Sequence, residues 1–538
     1  MILTKKNNSQ LREFDQAYEN IHQGHPDLIV NSKTISLIIK YKPNILEELI
    51  KNINTNSNTT NFLNLLTARG HKNWTGFQCI VHYTPELLDS ILDILKESDL
   101  GKNTLYHLLM SSNNYNTSGI YTMIINTPQL LDKVLDILSM DQIINALNLC
   151  NNNYSTGWSE IATRKPEFLS KCLSLVQTDE QKSKIINSLC LINNQFMTGL
   201  LSVAGTANKN LLTIFEWVKE LNLQDKVIDS LCILNNDGSR AGWMQIVQYQ
   251  PQAVSNFLSL AQTKEQYTKI INSLDRMHTP ICSGFMSLAY SQDCTEGLKL
   301  ILNWQLPTDT SKLIFNSLFP YGFSVYNLLS FSLPAQTEII NFIARNDSLK
   351  ETVINKLNEK YQDNWTGWMQ LAQSKPERLP MMLSWAKTSD QQNEIIKALC
   401  IENQNNFTGL MQIAYSKPKC IRTLLNWAHT KEQQTMIIQA LSITANNDYT
   451  GFKQLLDSSA NDLVTIVNWK NTDDDKNNLF KLMFPKTISV FEYEKLPLEL
   501  QTRYNNRFTI NTDSKVNQEP PKYFGDPAPS SSFNCTIL

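Results

Sequence analysis

The sequence predicts an all-α chain: a right-handed α-solenoid of about eleven three-helix repeats of 42 residues, with a disordered C-terminal tail. Three observations predict it. A glycine recurs at a near-constant interval, at Gly76, Gly119, Gly157, Gly199, Gly242, Gly284, Gly367, Gly409 and Gly451, with Thr34 and Val325 in the same place in two degenerate units. A proline follows nine residues later in most units, and a Thr-x-x-Gln pattern opens the last third of several. A period held along most of a chain marks stacked units, none of which buries its apolar face alone.

The elements follow in order within each unit. Helix A starts at the Thr-Gly step, as in Trp365-Thr366-Gly367-Trp368-Met369-Gln370-Leu371-Ala372 and Phe407-Thr408-Gly409-Leu410-Met411-Gln412-Ile413-Ala414. An Asn-rich loop such as Asn151-Asn152-Asn153 precedes it and suits turns and N-caps. Helix B opens at Pro43, Pro85, Pro128, Pro166, Pro251, Pro334, Pro376 and Pro418. The missing proline N–H has no helical partner at that first position anyway. Its apolar face recurs at i, i+3 and i+4, as in Leu379, Met382, Leu383 and Ala386. Helix C opens on the capping boxes Thr178/Gln181, Thr263/Gln266, Thr388/Gln391 and Thr430/Gln433. It closes on seams such as Ile185, Ile186, Leu189 and Cys190.

The domain expectation is an N-terminal cap over residues 1–30, the repeat domain over 31–500 and a flexible tail over 501–538. A partial twelfth unit is expected at Ser489-Val490-Phe491, which follows Met483-Phe484-Pro485 as Ser324-Val325 follows Phe319-Pro320. The unit at Val325 lacks both the Asn-rich loop and the glycine, so a kink or a boundary between sub-arrays is expected there. The unit has the length of armadillo and HEAT repeats. Its first half, Thr366 to Ala372 and then Leu379 to Trp385, resembles the helix pair of an ankyrin repeat, with Gly where that motif has Pro and a third helix in place of its β-turn finger. The resemblance implies a protein-binding α-solenoid and no residue-level binding code.

Composition narrows the function. The chain has 538 residues, 42% hydrophobic and 18% charged, with a net charge of −2. That balance gives no bulk attraction to nucleic acid. Ten cysteines are too few for a disulfide scaffold and read as reduced cytosolic thiols. The start, Met1 to Asn8, lacks an apolar signal-peptide core, and no run of about 18 apolar residues could span a bilayer. All ten tryptophans fall on repeat positions and read as packing residues. Cys150, Cys190, Cys232 and Cys400 share the end of helix C and read as small buried hydrophobes. Cys79-x-x-His82 has no second half to make a metal site, and Asp473-Asp474-Asp475 after Thr472 reads as a helix first turn. With no phosphate loop, nucleophile elbow or metalloprotease motif, the expectation is no catalytic, cofactor or metal site and a non-enzymatic protein.

The last four residues, Cys535, Thr536, Ile537 and Leu538, form a C-a-a-X box whose final Leu favours geranylgeranyl transfer to the Cys535 thiolate. The Pro- and Ser-rich approach from Gln518 to Ser532 has little to pack and would act as a tether. Prenylation is eukaryotic chemistry, so the chain is either a eukaryotic protein or a bacterial protein that acts inside a eukaryotic cell, and the implied partners are a host geranylgeranyl-type prenyltransferase, a membrane reached through the lipid, and a host protein on the solenoid surface. The repeats, the abundant Asn, Lys and Ile, and the box together look like type IV secretion effectors of intracellular bacteria. Glu492, Glu494 and Glu499 are similar to the acidic C-terminal signals of such effectors. That resemblance implies delivery into host cytosol and peripheral placement on host membranes. Two alternatives stand beside it. Leu496-Pro497-Leu498-Glu499-Leu500 resembles the opening of an F-box, implying a ubiquitin-ligase adaptor, although Tyr504 to Asn517 is too polar and short for the rest of that module. An enzyme site could lie in the atypical unit near 320–335.

Overall fold

Most of the described residues are helical. The structure is a computed structural model that describes residues 56–505 apart from 207–208, 234–240, 280–281, 446–448 and 486–487, together with Ile39, Glu47 and Ile50. The segment 1–30, Thr34, Pro43 and everything beyond residue 505 lie outside the described residues. Among those described, strand is confined to two short antiparallel pairs, Met277–Thr279 with Cys282–Ser283 and Thr444–Ala445 with Tyr449–Thr450. The chain divides into two compact units, Met1–Ile301 and Leu302–Leu538.

In the first unit the A helices are Gly76–Tyr83, Gly119–Asn126, Gly157–Arg164, Gly199–Ala204, Gly242–Tyr249 and Gly284–Tyr290, and each packs on the next. The second unit repeats the arrangement with Val325–Ser330, Gly367–Ser374, Gly409–Ser416, the first half of Gly451–Val467, and Val490–Lys495. C helices also meet their own kind, as Asp347–Asn358 meets Ser389–Leu399 and the latter meets Lys431–Ser442.

The local reasons are the expected ones, with two refinements. A Thr or Ser precedes nearly every A helix, and its hydroxyl accepts from the third helical N–H, as Thr75 does from Gln78 and Thr408 from Met411 at 3.3 Å. All four expected C-helix capping boxes form. Helix B, however, often begins one turn late. Pro85–Leu87, Pro128–Leu130, Pro251–Ala253 and Pro376–Arg378 are single 3-10 turns that lead into the α-helix. Proline fixes φ and pushes the residue before it out of the helical region, so Lys375 sits at φ −145°, ψ 58° between helices A and B. The unit at Gly451 lacks that proline. Its A and B helices run on as Gly451–Val467, broken only at Ser459 (φ −160°, ψ 60°), whose hydroxyl donates to the buried Asp462 carboxylate at 2.7 Å.

The second refinement explains the glycine. It is the first residue of helix A and needs no left-handed backbone. An added Cβ would collide with a leucine of the preceding helix C in every glycine unit: Leu65, Leu108, Leu147, Leu189, Leu231, Leu274, Leu357, Leu399 and Leu441. At Gly409 that Cβ would stand 2.7 Å from Leu399 Cδ2, 3.1 Å from Leu399 Cα and 3.1 Å from Met369 Cγ of the preceding A helix. The glycine lets helix A touch two neighbours at once.

The degenerate unit at Val325 replaces this contact with an aromatic cluster. Phe315, Phe319, Phe323 and Phe331 are buried, with ring centroids 5.0 to 6.2 Å apart, and Gly322 turns the chain at φ +87°. Val325 is itself buried, and the unit keeps all three helices, Val325–Ser330, Leu333–Ala344 and Asp347–Asn358. The partial unit at Ser489 is present as Val490–Lys495 and Leu498–Asn505, so ordered helix runs past residue 500.

Gly409→Ala puts these effects in opposition. Alanine favours a helix over glycine by about 1 kcal/mol, whereas a methyl forced into a packed contact costs about 1–3 kcal/mol. The Leu399 Cα fixes one wall at 3.1 Å, and the Leu399 and Met369 side chains that form the others are fully buried and have little room to give, so the clash wins. The variant is expected to unfold at lower urea concentration than wild type, and an unchanged or higher midpoint would remove this account of the repeat.

Candidate interaction surface

The loops before the A helices are built by one device. The residue six before the cap pairs with it across a narrow hairpin: Arg69 with Thr75, Ser112 with Ser118, Cys150 with Thr156, Ile192 with Thr198, Lys360 with Thr366, and Glu402 with Thr408. In four of these an Asn side chain closes the turn. Asn113, Asn151, Asn193 and Asn403 each accept two backbone N–H groups on Oδ1 at 2.8 to 3.0 Å. This is what the Asn-rich composition specifies locally. Neighbouring loops are also tied together: Asn114 N–H donates to the Lys72 carbonyl at 3.0 Å, Asn194 to Asn153 at 3.0 Å, and Gln404 to Asp363 at 3.3 Å.

Three residues before the first helix-A position, the backbone turns left-handed in all six loops, at Asn73, Asn116, Tyr154, Phe196, Asn364 and Asn406, with φ between 52° and 63°. Asn tolerates this region and bulky residues do not. At Tyr154 and Phe196 the cost is about 1–3 kcal/mol each. Neither ring recovers it by packing, since Tyr154 is 60% and Phe196 56% exposed. The sequence held the signal, a single loop column that is Asn in four units and aromatic in two, but it emerges only once the turn's φ is known.

The capping-box glutamines do a second job the sequence did not reveal. In helix Lys264–Asp275, Gln266 Oε1 accepts the N–H groups of Gln262 and Thr263 at 2.6 and 3.0 Å, while its Nε2 donates to Asp225 Oδ1 of the preceding C helix at 2.9 Å. Gln181 reaches Asp141 in the same way at 2.9 Å, and Gln433 reaches Asn393 at 3.4 Å. One side chain therefore ends a helix and joins two repeats. Gln266→Met keeps the length and loses all three side-chain bonds. Its expected cost is about 1–2 kcal/mol by chemical denaturation, and pairing it with Asp225→Ala in a double-mutant cycle should return a coupling of about 0.5–1 kcal/mol. No coupling would confine the glutamine to capping.

Trp158, Trp243 and Trp368 are fully buried with their indole N–H groups on Asn148, Ser273 and Asn358 at 2.7 to 2.8 Å. Trp217 and Trp385 are buried, and Trp74, Trp304, Trp365, Trp427 and Trp469 are half-buried. Among the helix-C cysteines Cys190 is buried, but Cys150, Cys232 and Cys400 are only half-buried, because they sit at or just past the helix end. Burial still pushes the Cys190, Cys232 and Cys400 thiols up to about 12, so they remain protonated and unreactive near neutral pH.

Cys79 is buried while His82 is exposed against Trp74, so that pair does not converge. Among the described residues no three His, Cys, Asp or Glu side chains are placed to hold a metal. Thr472 caps helix Asp473–Met483 through the Asp475 N–H at 3.1 Å, which accounts for the acidic run.

In the F-box-like segment Leu496 and Leu500 are buried in the closing unit, beside Tyr504, whose hydroxyl accepts the Ile488 N–H at 3.1 Å, and Leu498 and Glu499 are exposed. Around 320–335 the interior is lined by the phenylalanine cluster described above. Cys535, Thr536, Ile537 and Leu538 lie outside the described residues. No helix among the described residues is long and apolar enough to cross a membrane. No protein-family model and no curated protein matches the chain.

Proposed function

We propose that this chain is a non-enzymatic scaffold: a right-handed α-solenoid of about eleven repeats whose surface binds a host protein, anchored to an intracellular membrane by host geranylgeranylation of Cys535. In this reading it belongs with effector-type proteins that intracellular bacteria deliver by type IV secretion. The observation that carries the scaffold reading is the recurrence of one contact, glycine of helix A on leucine of the preceding helix C, in successive repeats of each compact unit. Repeats joined by the same contact present the same surface side by side, which suits an extended protein partner. Helix layers spaced about 10 Å apart would give eleven repeats a length on the order of 100 Å. The anchor reading is supported by the residues of the box and by the Pro- and Ser-rich approach to it.

Small-angle scattering from the purified protein should give a longest dimension near that value, and a compact profile would defeat the array. For the anchor, the C-terminal peptide from protein made in a eukaryotic cell should carry an isoprenoid on Cys535 that a geranylgeranyl-transferase inhibitor removes. Cys535→Ser should move the protein from membranes to cytosol. An unmodified thiol, or full membrane retention of the serine variant, would end that part of the proposal.

A further inference from the structure

We infer that the loop tips of Cys150–Thr156 and Ile192–Thr198 form a lipid-facing ridge, which docks on the interfacial region of an electrically neutral bilayer surface. This extends the reading of a membrane-acting protein and does not depend on the lipid at Cys535. Five apolar side chains define the ridge. Leu191, Ile192, Phe196 and Met197 are all exposed on one hairpin, and Tyr154 stands on the adjoining one. The two hairpins are fixed side by side by Asn194, whose N–H donates to the Asn153 carbonyl at 3.0 Å and whose Nδ2 donates to the Asn152 carbonyl at 3.2 Å.

Three features select a lipid surface as the occupant. The first is charge. No Asp, Glu, Lys or Arg lies between Asp141 and Glu160, or between Lys184 and Lys209, so neither hairpin carries a charge of its own, and the charges beside them come as opposites, Glu160 with Arg164 near Asn151 and Lys226 with Asp229 near Cys190, a balance that matches zwitterionic headgroups. The second is the backbone. Entering a medium poor in water is costly for unpaired N–H groups. On the 192–198 hairpin the five N–H groups from Asn193 to Met197 are already bonded, to the Met197 carbonyl, the Asn153 carbonyl, Asn193 Oδ1, the Asn193 carbonyl and Asn193 Oδ1 in turn. The third is strain. Tyr154 and Phe196 hold a left-handed backbone that Asn occupies in the other four loops, and both present their rings outward. Aromatic side chains with aliphatic neighbours suit the interfacial zone of a bilayer, and a single isoprenoid chain needs a second contact of this kind for stable binding.

The test uses the full chain made in bacteria, so that Cys535 carries no isoprenoid, floated with phosphatidylcholine vesicles. The wild type should float. Tyr154→Asn with Phe196→Asn should float at least fivefold less while its melting temperature stays equal or rises, because Asn suits the left-handed turn. Leu498→Asn, at an even more exposed apolar residue elsewhere, should float like wild type. Should the double variant fail to fold, Leu191→Ser with Ile192→Ser keeps both turn residues and should show the same loss. A wild type that stays with the soluble fraction, or an Asn variant that floats as well as wild type, overturns the lipid assignment and leaves the ridge to a protein groove. The mass of the Cys535 peptide is a separate readout, so ridge and anchor can fail independently.

Discussion

Nine repeats of this chain are arranged around the absence of one methyl group. In each of them the first residue of helix A lies so close to a leucine of the preceding helix C that only glycine fits. The same glycine touches the previous A helix, through Leu201, Met369 or Met411. Two separations are thereby set by one atom that is missing, and the Thr or Ser before it caps the helix that the glycine starts. This coupling keeps the interval between units near 42 residues. A residue added to the loop would rotate the cap away from its helix, and one added to helix C would turn the leucine off the contact.

On this apolar frame the polar groups act between repeats and not only within them. Gln181 and Gln266 each satisfy a helix start and a neighbour's aspartate. Lysines bridge successive B helices, Lys133 to Asp89 and Lys171 to Asp132, at 2.7 and 3.0 Å. Exposed pairs of that kind contribute little each, about 0–1 kcal/mol, whereas a buried acceptor left unpaired costs more than a made bond gains. Register is therefore held more firmly by the buried glutamines than by the more numerous surface charges. Stability in such an array is a sum of nearest-neighbour terms, so a loss at one seam weakens that seam first.

The helices were legible because their signals are local. Thr178-x-x-Gln181 specifies a capping box by spacing alone, and Pro376 specifies where helix B can begin. The purpose of Gly409 was not legible, since the leucine it admits lies ten residues upstream on another helix and no propensity rule connects them. Half-burial of Cys150 and Cys400 was missed for a related reason: the column is apolar in sequence, but the helix ends there and its last side chains meet solvent. Phe319-Pro320 and Phe484-Pro485 were recognised as equivalents, yet the sequence did not show that phenylalanines would take over the glycine's role in joining units.

In the turn column three residues before helix A, two positions break the local rule without a return inside the fold. Asn would relax the left-handed turn at Tyr154 and Phe196, and it does so at Asn73, Asn116, Asn364 and Asn406. Violations of that sort concentrate where a surface has work beyond stability. Here they fall on adjacent hairpins, and on the one that carries Phe196 the backbone donors from Asn193 to Met197 are spent. Under the proposed anchor the combination has a simple physical consequence. A single isoprenoid binds reversibly, but it would hold the rest of the chain near the bilayer at high effective concentration. A second contact too weak to act alone then lengthens the stay by a large factor. Neither contact needs a charged surface, which agrees with a chain whose net charge is −2 and whose ridge carries none. Strain at two aromatic turns is, in that arrangement, the stability given up for a membrane contact that neutral residues alone can make.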